Sequence, residues 1–200
     1  MQINQYPAIS ILSDSDDLLV QTASDNAYKS MPGSVLKTYV GSSIPSAISY
    51  AQVGDVKSFG TNGGAYSSAV DITRTLNTVI ASASWLSLNT STNVITLAAG
   101  TYLVNGSCTA GGIGSFKAWL ANAATNAVLL LGTSAYPNTN YYAACLSLLS
   151  GQLILTASTT LVLKMRGTNT NSNTSALGVA TGADTGQTEL YSCIGFTKIA

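Results

Sequence analysis

Two hundred residues carry only eight Lys plus Arg, eight Asp plus Glu and no His, while hydrophobic residues make up 46 %. Charged residues are 8 %, against about 25 % in an ordinary domain, yet the apolar content suffices for a packed core, which argues against disorder. Without His neither a Ser-His-Asp nor a Cys-His nucleophile nor a Cys/His zinc site can be built, and a net charge of zero argues against nucleic acid as a partner.

The start, Met1-Gln2-Ile3-Asn4-Gln5-Tyr6-Pro7, lacks the basic-then-apolar pattern of a secretory signal, and no apolar run approaches the length of a membrane span. Cysteines are three: Cys108, Cys145 and Cys193. An odd number without a signal points to reduced, buried thiols rather than a disulfide framework. The few charges are placed unevenly. Six acids and four bases lie at or before Arg74, and from Thr75 to Leu163 the sole charge is Lys117. A shift this sharp marks a candidate boundary, and length alone suits one domain with a small appendage.

In chain order, Ile9, Ile11 and Leu12 form one short extended run and Leu18-Leu19-Val20-Gln21 another, introduced by the acidic turn Asp14-Ser15-Asp16-Asp17. Ser34 can cap a short helix in which Val35/Tyr39 and Leu36/Val40 share a side. Residues 1–40 bury too little surface to stand alone and are expected to dock on something larger. Residues 41–68, with Gly41-Ser42-Ser43, Pro45, Gly54-Asp55, Gly60 and Asn62-Gly63-Gly64, predict a connector. From 69 to 200 short strands recur between turns: Ile72–Leu76, Val94–Leu97, Tyr102–Cys108, Ser115–Leu120, Ala127–Leu131, Ala143–Leu149, Gln152–Thr156, Thr160–Arg166 and Glu189–Ile199. This spacing predicts an all-β sandwich or jelly roll. Leu161-Val162-Leu163-Lys164-Met165 and Tyr191-Ser192-Cys193-Ile194-Gly195-Phe196 are apolar on both faces, where a half-solvated strand would alternate. A second layer is expected outside the core, and self-association is the simplest one.

Over residues 70–200 the order Thr75-Leu76-Asn77-Thr78-Val79, Asn93 to Val104, Gly132-Thr133-Ser134-Ala135-Tyr136, Leu155 to Thr160, Gly178-Val179-Ala180 and Glu189-Leu190-Tyr191 resembles the jelly roll of many bacteriophage head and tail appendage proteins. The resemblance implies the trimeric jelly roll of the complement-globular-head and tumour-necrosis-factor type, with the last strand in an inner sheet beside the threefold axis. Carried over, it puts Tyr191, Cys193 and Gly195 near the trimer interface, with Ile194 and Phe196 towards the sandwich. It brings Tyr102, Val104, Leu161, Leu163 and Met165 into the same inner sheet and interface. Cys108 and Cys193 then fall on nearby strands, and whether they pair stays open. The N-terminal order Ile9…Leu12-Ser13…Asp16-Asp17-Leu18-Leu19-Val20-Gln21…Lys29…Val35-Leu36…Tyr39-Val40 resembles the opening of phage fibre and head-fibre proteins, which attaches the appendage to the virion. The usual second basic residue near Lys29 is missing. This likeness implies capsid docking through Tyr6, Ile9, Ile11, Leu12, Leu18, Leu19, Val20, Leu36 and Tyr39.

Sites of chemistry are few. Asp14, Asp16 and Asp17 lack the Gly and terminal Glu of a calcium loop and are expected to cap a strand. Gly111-Gly112-Ile113-Gly114 lacks the Lys-Ser/Thr of a phosphate loop and is expected to be a tight turn. Beyond Arg74, Asp184 and Glu189 are the only carboxylate side chains, a thin basis for glycoside hydrolysis. Tyr136, Tyr141 and Tyr142 cluster with Asn and Thr in a loop that would meet a host glycan or partner protein, or pack within the trimer. The expectation is a non-enzymatic homotrimer without cofactor or metal, carried on the virion surface after assembly in the host cytoplasm. It would be a capsid decoration protein on the major capsid protein, or alternatively a short tail-fibre or receptor-binding protein on a tail baseplate or adaptor. A secreted or surface trimer of a bacterium is the remoter reading. Neither nucleic-acid binding nor membrane insertion is expected.

Overall fold

A computed structural model describes residues 17–21, 28–32, 34, 48–137, 144–181 and 186–199. The chain divides into two compact units, Met1–Ala47 and Ile48–Ala200. In the first, β1 (Asp17–Gln21) pairs antiparallel with β2 (Tyr28–Pro32), in register from Asp17 opposite Pro32 to Gln21 opposite Tyr28. The expected strand over Leu18–Gln21 is therefore present, and its partner is a strand the sequence reading did not expect. Pro32 lies at the ladder's end, where its missing N–H does least harm. Ser34 is itself helical; the run at Ile9–Leu12 and the helix over 35–40 lie outside the described residues.

The second unit is a jelly-roll-like sandwich of short antiparallel strands. Its strands are β3 (Ser49–Lys57), β4 (Ile72–Thr73), β5 (Thr78–Ala81), β6 (Leu86–Asn89), β7 (Val94–Leu97), β8 (Gly100–Gly111), β9 (Phe116–Asn122), β10 (Val128–Ala135), β11 (Ala144–Leu155), β12 (Thr159–Gly167) and β13 (Glu189–Lys198). One layer runs β5-β3-β13-β8-β11 and the other β10-β9-β12-β7-β6, with β4 added on β12. Among the described residues no helix is long and apolar enough to cross a membrane.

Alternation decides what each layer buries. Odd positions of β12 point inward, so Leu161, Leu163 and Met165 are fully buried; the even positions of β9 do the same with Phe116, Ala118 and Leu120. Facing them from the other layer are Tyr102, Val104 and Cys108 of β8 and Ile194 and Phe196 of β13. The layers touch where Cys108 Sγ lies 3.9 Å from Met165 Sδ. Aromatic rings fill one end: Tyr102 meets Trp85 at 5.2 Å and Phe196 edge-on at 6.4 Å. Such tilted pairs add to plain burial.

The layers are joined at β10 and β11 through the single pair Gly132 and Leu149. Ser147 secures this seam. Its fully buried hydroxyl accepts from the Ala118 N–H at 2.9 Å and donates to the Thr133 carbonyl at 2.6 Å, bonding three strands with one side chain.

Two expectations are corrected here. Residues 41–68 are not wholly a connector, because β3 within them is an interior strand of the first layer, paired on β13 along one edge and β5 along the other. And β12 does not share a sheet with β13 and β8; it lies in the opposite layer, between β9 and β7. The two predicted strands Ala143–Leu149 and Gln152–Thr156 are one strand, β11, which runs through Gly151.

Candidate functional site

The same alternation that fills the core leaves the first layer with an unusual outer face. On β11 the odd positions turn inward, and Leu146, Leu148 and Ile154 turn outward, 50 %, 50 % and 65 % exposed. On β8 Leu103 turns outward as Tyr102 and Val104 turn in. Leu190 on β13 and Ile80 on β5 continue the face; both would touch a side chain placed on Gly54. Tyr50 of β3 lies flat over Gly195, where any Cβ would collide with its ring. Burial raises the Tyr50 hydroxyl's pKa, helped by the nearby Cys193 thiol. Polar residues share the face: Asn105, Ser107 and Thr109 of β8 and Ser150 and Gln152 of β11 stand among the apolar ones, and Ser150 donates to Asn105 at 3.4 Å. Large apolar side chains spread over one sheet face call for a covering surface.

The residues expected at a trimer interface divide between the two sides. Cys193 and Gly195 stand on the outer face, with Cys193 Sγ 3.5 Å from the Ser107 hydroxyl. Tyr102, Val104, Leu161, Leu163 and Met165 are at most 1 % exposed within one chain, because each points into the sandwich. Tyr191 also leaves the face. Its hydroxyl donates to the Thr61 carbonyl at 2.6 Å, and its pKa is pushed up to about 12 by burial first and then by the Glu189 and Asp55 carboxylates, so it stays a donor. Ile194 and Phe196 do lie inside, as expected.

The register also answers the cysteine question. Cys108 pairs with Ser192, and Cys193 with Ser107, so the two thiols sit on opposite faces of one sheet and cannot bond. All three cysteines are free; Cys108 is buried, while Cys145 and Cys193 are half-buried rather than the fully buried thiols expected. Burial raises the Cys108 pKa, against the opposing charge of Arg74, which keeps it a thiol.

Gly111-Gly112-Ile113-Gly114 is the tight turn expected, joining β8 to β9. Gly112 and Gly114 take φ of +64° and +69°, and Ile113 between them is buried. Glu189 works as a brace for loops. It accepts from the Gly60 N–H at 3.3 Å and from the Thr181 N–H and hydroxyl at 3.0 and 3.1 Å. Asp184 lies outside the described residues, as do Asp14 and Asp16; Asp17 opens β1. Tyr136 is 67 % exposed at the end of β10, while Tyr141 and Tyr142 lie outside the described residues, as do Tyr6, Ile9, Ile11, Leu12, Leu36 and Tyr39. Leu18, Leu19 and Val20 lie along β1. Among the described residues no group of three or more His, Cys, Asp and Glu is placed to hold a metal.

The Glu189 brace has a pH signature. The Thr181 N–H leads in lowering its pKa, aided by the Gly60 N–H and the Thr181 hydroxyl and opposed by burial. A carboxyl whose folded pKa lies below its unfolded value, about 4.3, stabilises above that value and loses the contribution as pH falls through the folded one. Urea midpoints of the native chain are therefore expected to fall more steeply, as pH drops below the unfolded value of about 4.3, than those of Glu189→Gln. Parallel profiles would remove the brace.

No family model matches the chain, and no curated protein matches it. Among solved structures, murine APRIL crystallised at pH 8.0 aligns at 11 % identity and a TM-score of 0.48, covering 75 % of this chain and 99 % of its own. Eiger TNF from S. frugiperda aligns at 17 % and 0.47, covering 78 % and 94 %. Likenesses this distant carry no inference about receptor, partner or assembly. The sandwich itself rests on the strand order and core described above.

Proposed function

We propose that the chain is a non-enzymatic structural protein of a bacteriophage virion, a homotrimer of jelly rolls set on the capsid as a decoration protein. The observation that carries self-association is the outer face of the first layer, where Leu103, Leu146, Leu148, Ile154 and Leu190 stand exposed on neighbouring strands. A threefold arrangement follows from the resemblance of residues 70–200 to trimeric phage jelly rolls, and it would bury this face against itself. The separation of residues 1–47 as their own unit supports a role for the N-terminal segment in holding the major capsid protein. The lack of His and the engagement of Glu189 with two loops support binding over catalysis. The site of action is then the virion surface, after assembly in the host cytoplasm.

The exposure of Tyr136 favours a second reading, a short tail fibre or receptor-binding protein using the loop after β10. One experiment separates them. Capsids stripped of the protein are mixed with the full chain or with residues 48–200. The decoration reading expects the full chain to sediment with capsids and the truncated chain to remain in the supernatant. Equal binding of both refutes docking by the first unit, and labelling confined to tails replaces decoration by adhesion.

A further inference from the structure

We propose that the outer face of the second layer is a binding site for an acidic saccharide, one carrying a uronate or sulfate on a pyranose ring. It uses neither the Tyr136 loop nor the apolar face, and holds wherever the chain is carried. On β9 Phe116, Ala118 and Leu120 point inward, so Lys117 and Trp119 point out; on β12 Lys164 and Arg166 do the same. The register sets Lys117 directly opposite Arg166 and Trp119 directly opposite Lys164. This block gathers three of the eight cations of the whole chain around one indole, in a region where charge is otherwise nearly absent.

Like charges directly opposite each other on a sheet repel. Little on the protein relieves the repulsion. Arg166 has an exposed pair with Asp71 at 3.3 Å, of the kind that contributes little. Lys164 donates to the Asn126 side chain at 2.6 Å, a neutral partner. Lys117 has no hydrogen bond or ion pair among the described residues. An incoming anion would supply the missing charge, with Arg166 offering a two-pronged donor and Lys117 a point charge.

Shape narrows the anion to a sugar. An open depression of about 550 Å³ lies over the Lys117–Arg166 end of this block, lined by Lys117, Trp119 and Arg166 with Ser115, Ser134 and Thr168. The half-buried indole offers a flat apolar surface for the C–H face of a pyranose, and the hydroxyls offer partners for ring hydroxyls. Three cations in a compact block are too few to track a nucleic-acid backbone.

The test is titration calorimetry of the full chain with a glucuronate-containing disaccharide, its neutral glucose counterpart and a short glutamate peptide. The acidic disaccharide is expected to bind saturably, and the neutral sugar about tenfold more weakly. Lys117→Gln and Trp119→Ala are each expected to weaken the acidic sugar about tenfold. Lys117→Gln should leave the melting temperature unchanged, which separates lost contact from lost fold. No binding by about 10 mM overturns the proposal. So does equal affinity for the neutral sugar, indifference to Lys117→Gln, or a peptide that binds as well as the saccharide.

Discussion

Leu148→Glu combined with Ile154→Glu is expected to turn the proposed trimer into a monomer, with the light-scattering mass falling to the 20.5 kDa of one chain. Both side chains project from the outer side of β11, half or more exposed, so the isolated fold loses almost nothing when they change. In an assembly that covers this face each substitution forfeits about 2 kcal/mol of apolar burial and adds a carboxylate that must be stripped of water. In the proposed trimer the penalty recurs in every protomer, which exceeds what a weak interface can absorb. Ser87→Glu, at an exposed position of β6 in the other layer, should leave the mass at three chains. A native chain that runs as a monomer at about 50 μM would sink self-association as the cover for this face.

Phe196→Ala is expected to cost about 3–5 kcal/mol, a large part of the stability of a domain this size. Phe196 is fully buried at one end of the ring cluster, edge-on to Tyr102, which in turn meets Trp85. Truncation leaves a void that neighbouring β strands cannot close, because their spacing is fixed by ladders on both sides. Urea midpoints at one protomer concentration measure the effect, since association adds to apparent stability. Phe59→Ala, at an exposed position outside the strands, serves as the contrast and should shift stability by about 0.5 kcal/mol or less. A loss below about 1 kcal/mol for Phe196→Ala would mean that the core collapses around the gap.

The strands legible in the sequence were those built from large alternating residues: β7, β8, β9, β12 and β13 stand close to their expected limits. The strand β3 was illegible because its inward positions are Ala51, Val53 and Asp55, with Gly54 between them. Gly54 reads as a turn residue, yet it is there because Ile80 and Leu190 lie over it and leave no space for a side chain. Gly151 misled in the same way. It marks the point where Leu130 crosses β11, not a break in the strand. Of the apolar outer face, the sequence indicated the need for a second layer and placed it on β13, which carries part of the face, and on β12, which does not. In β12 the residues that looked surplus are core, since Leu161, Leu163 and Met165 simply alternate inward. The signal lay in β11 instead, where leucines occupy both phases, Leu146 and Leu148 against Leu149 and Leu153. The Lys117–Trp119–Lys164–Arg166 block had no sequence signature at all, because only the register between β9 and β12 brings its halves together.

The strand β13, last in chain order among those described, lies inside the first layer, hydrogen-bonded to β3 on one side and β8 on the other. During synthesis β3 waits, one edge unpaired, for a partner made more than a hundred residues later. Sheet closure is accordingly slow, in the manner of sequence-distant β pairing. A premature stop between β12 and β13 yields not a shortened sandwich but one split along its middle, with the edges of β3 and β8 bare and open to aggregation.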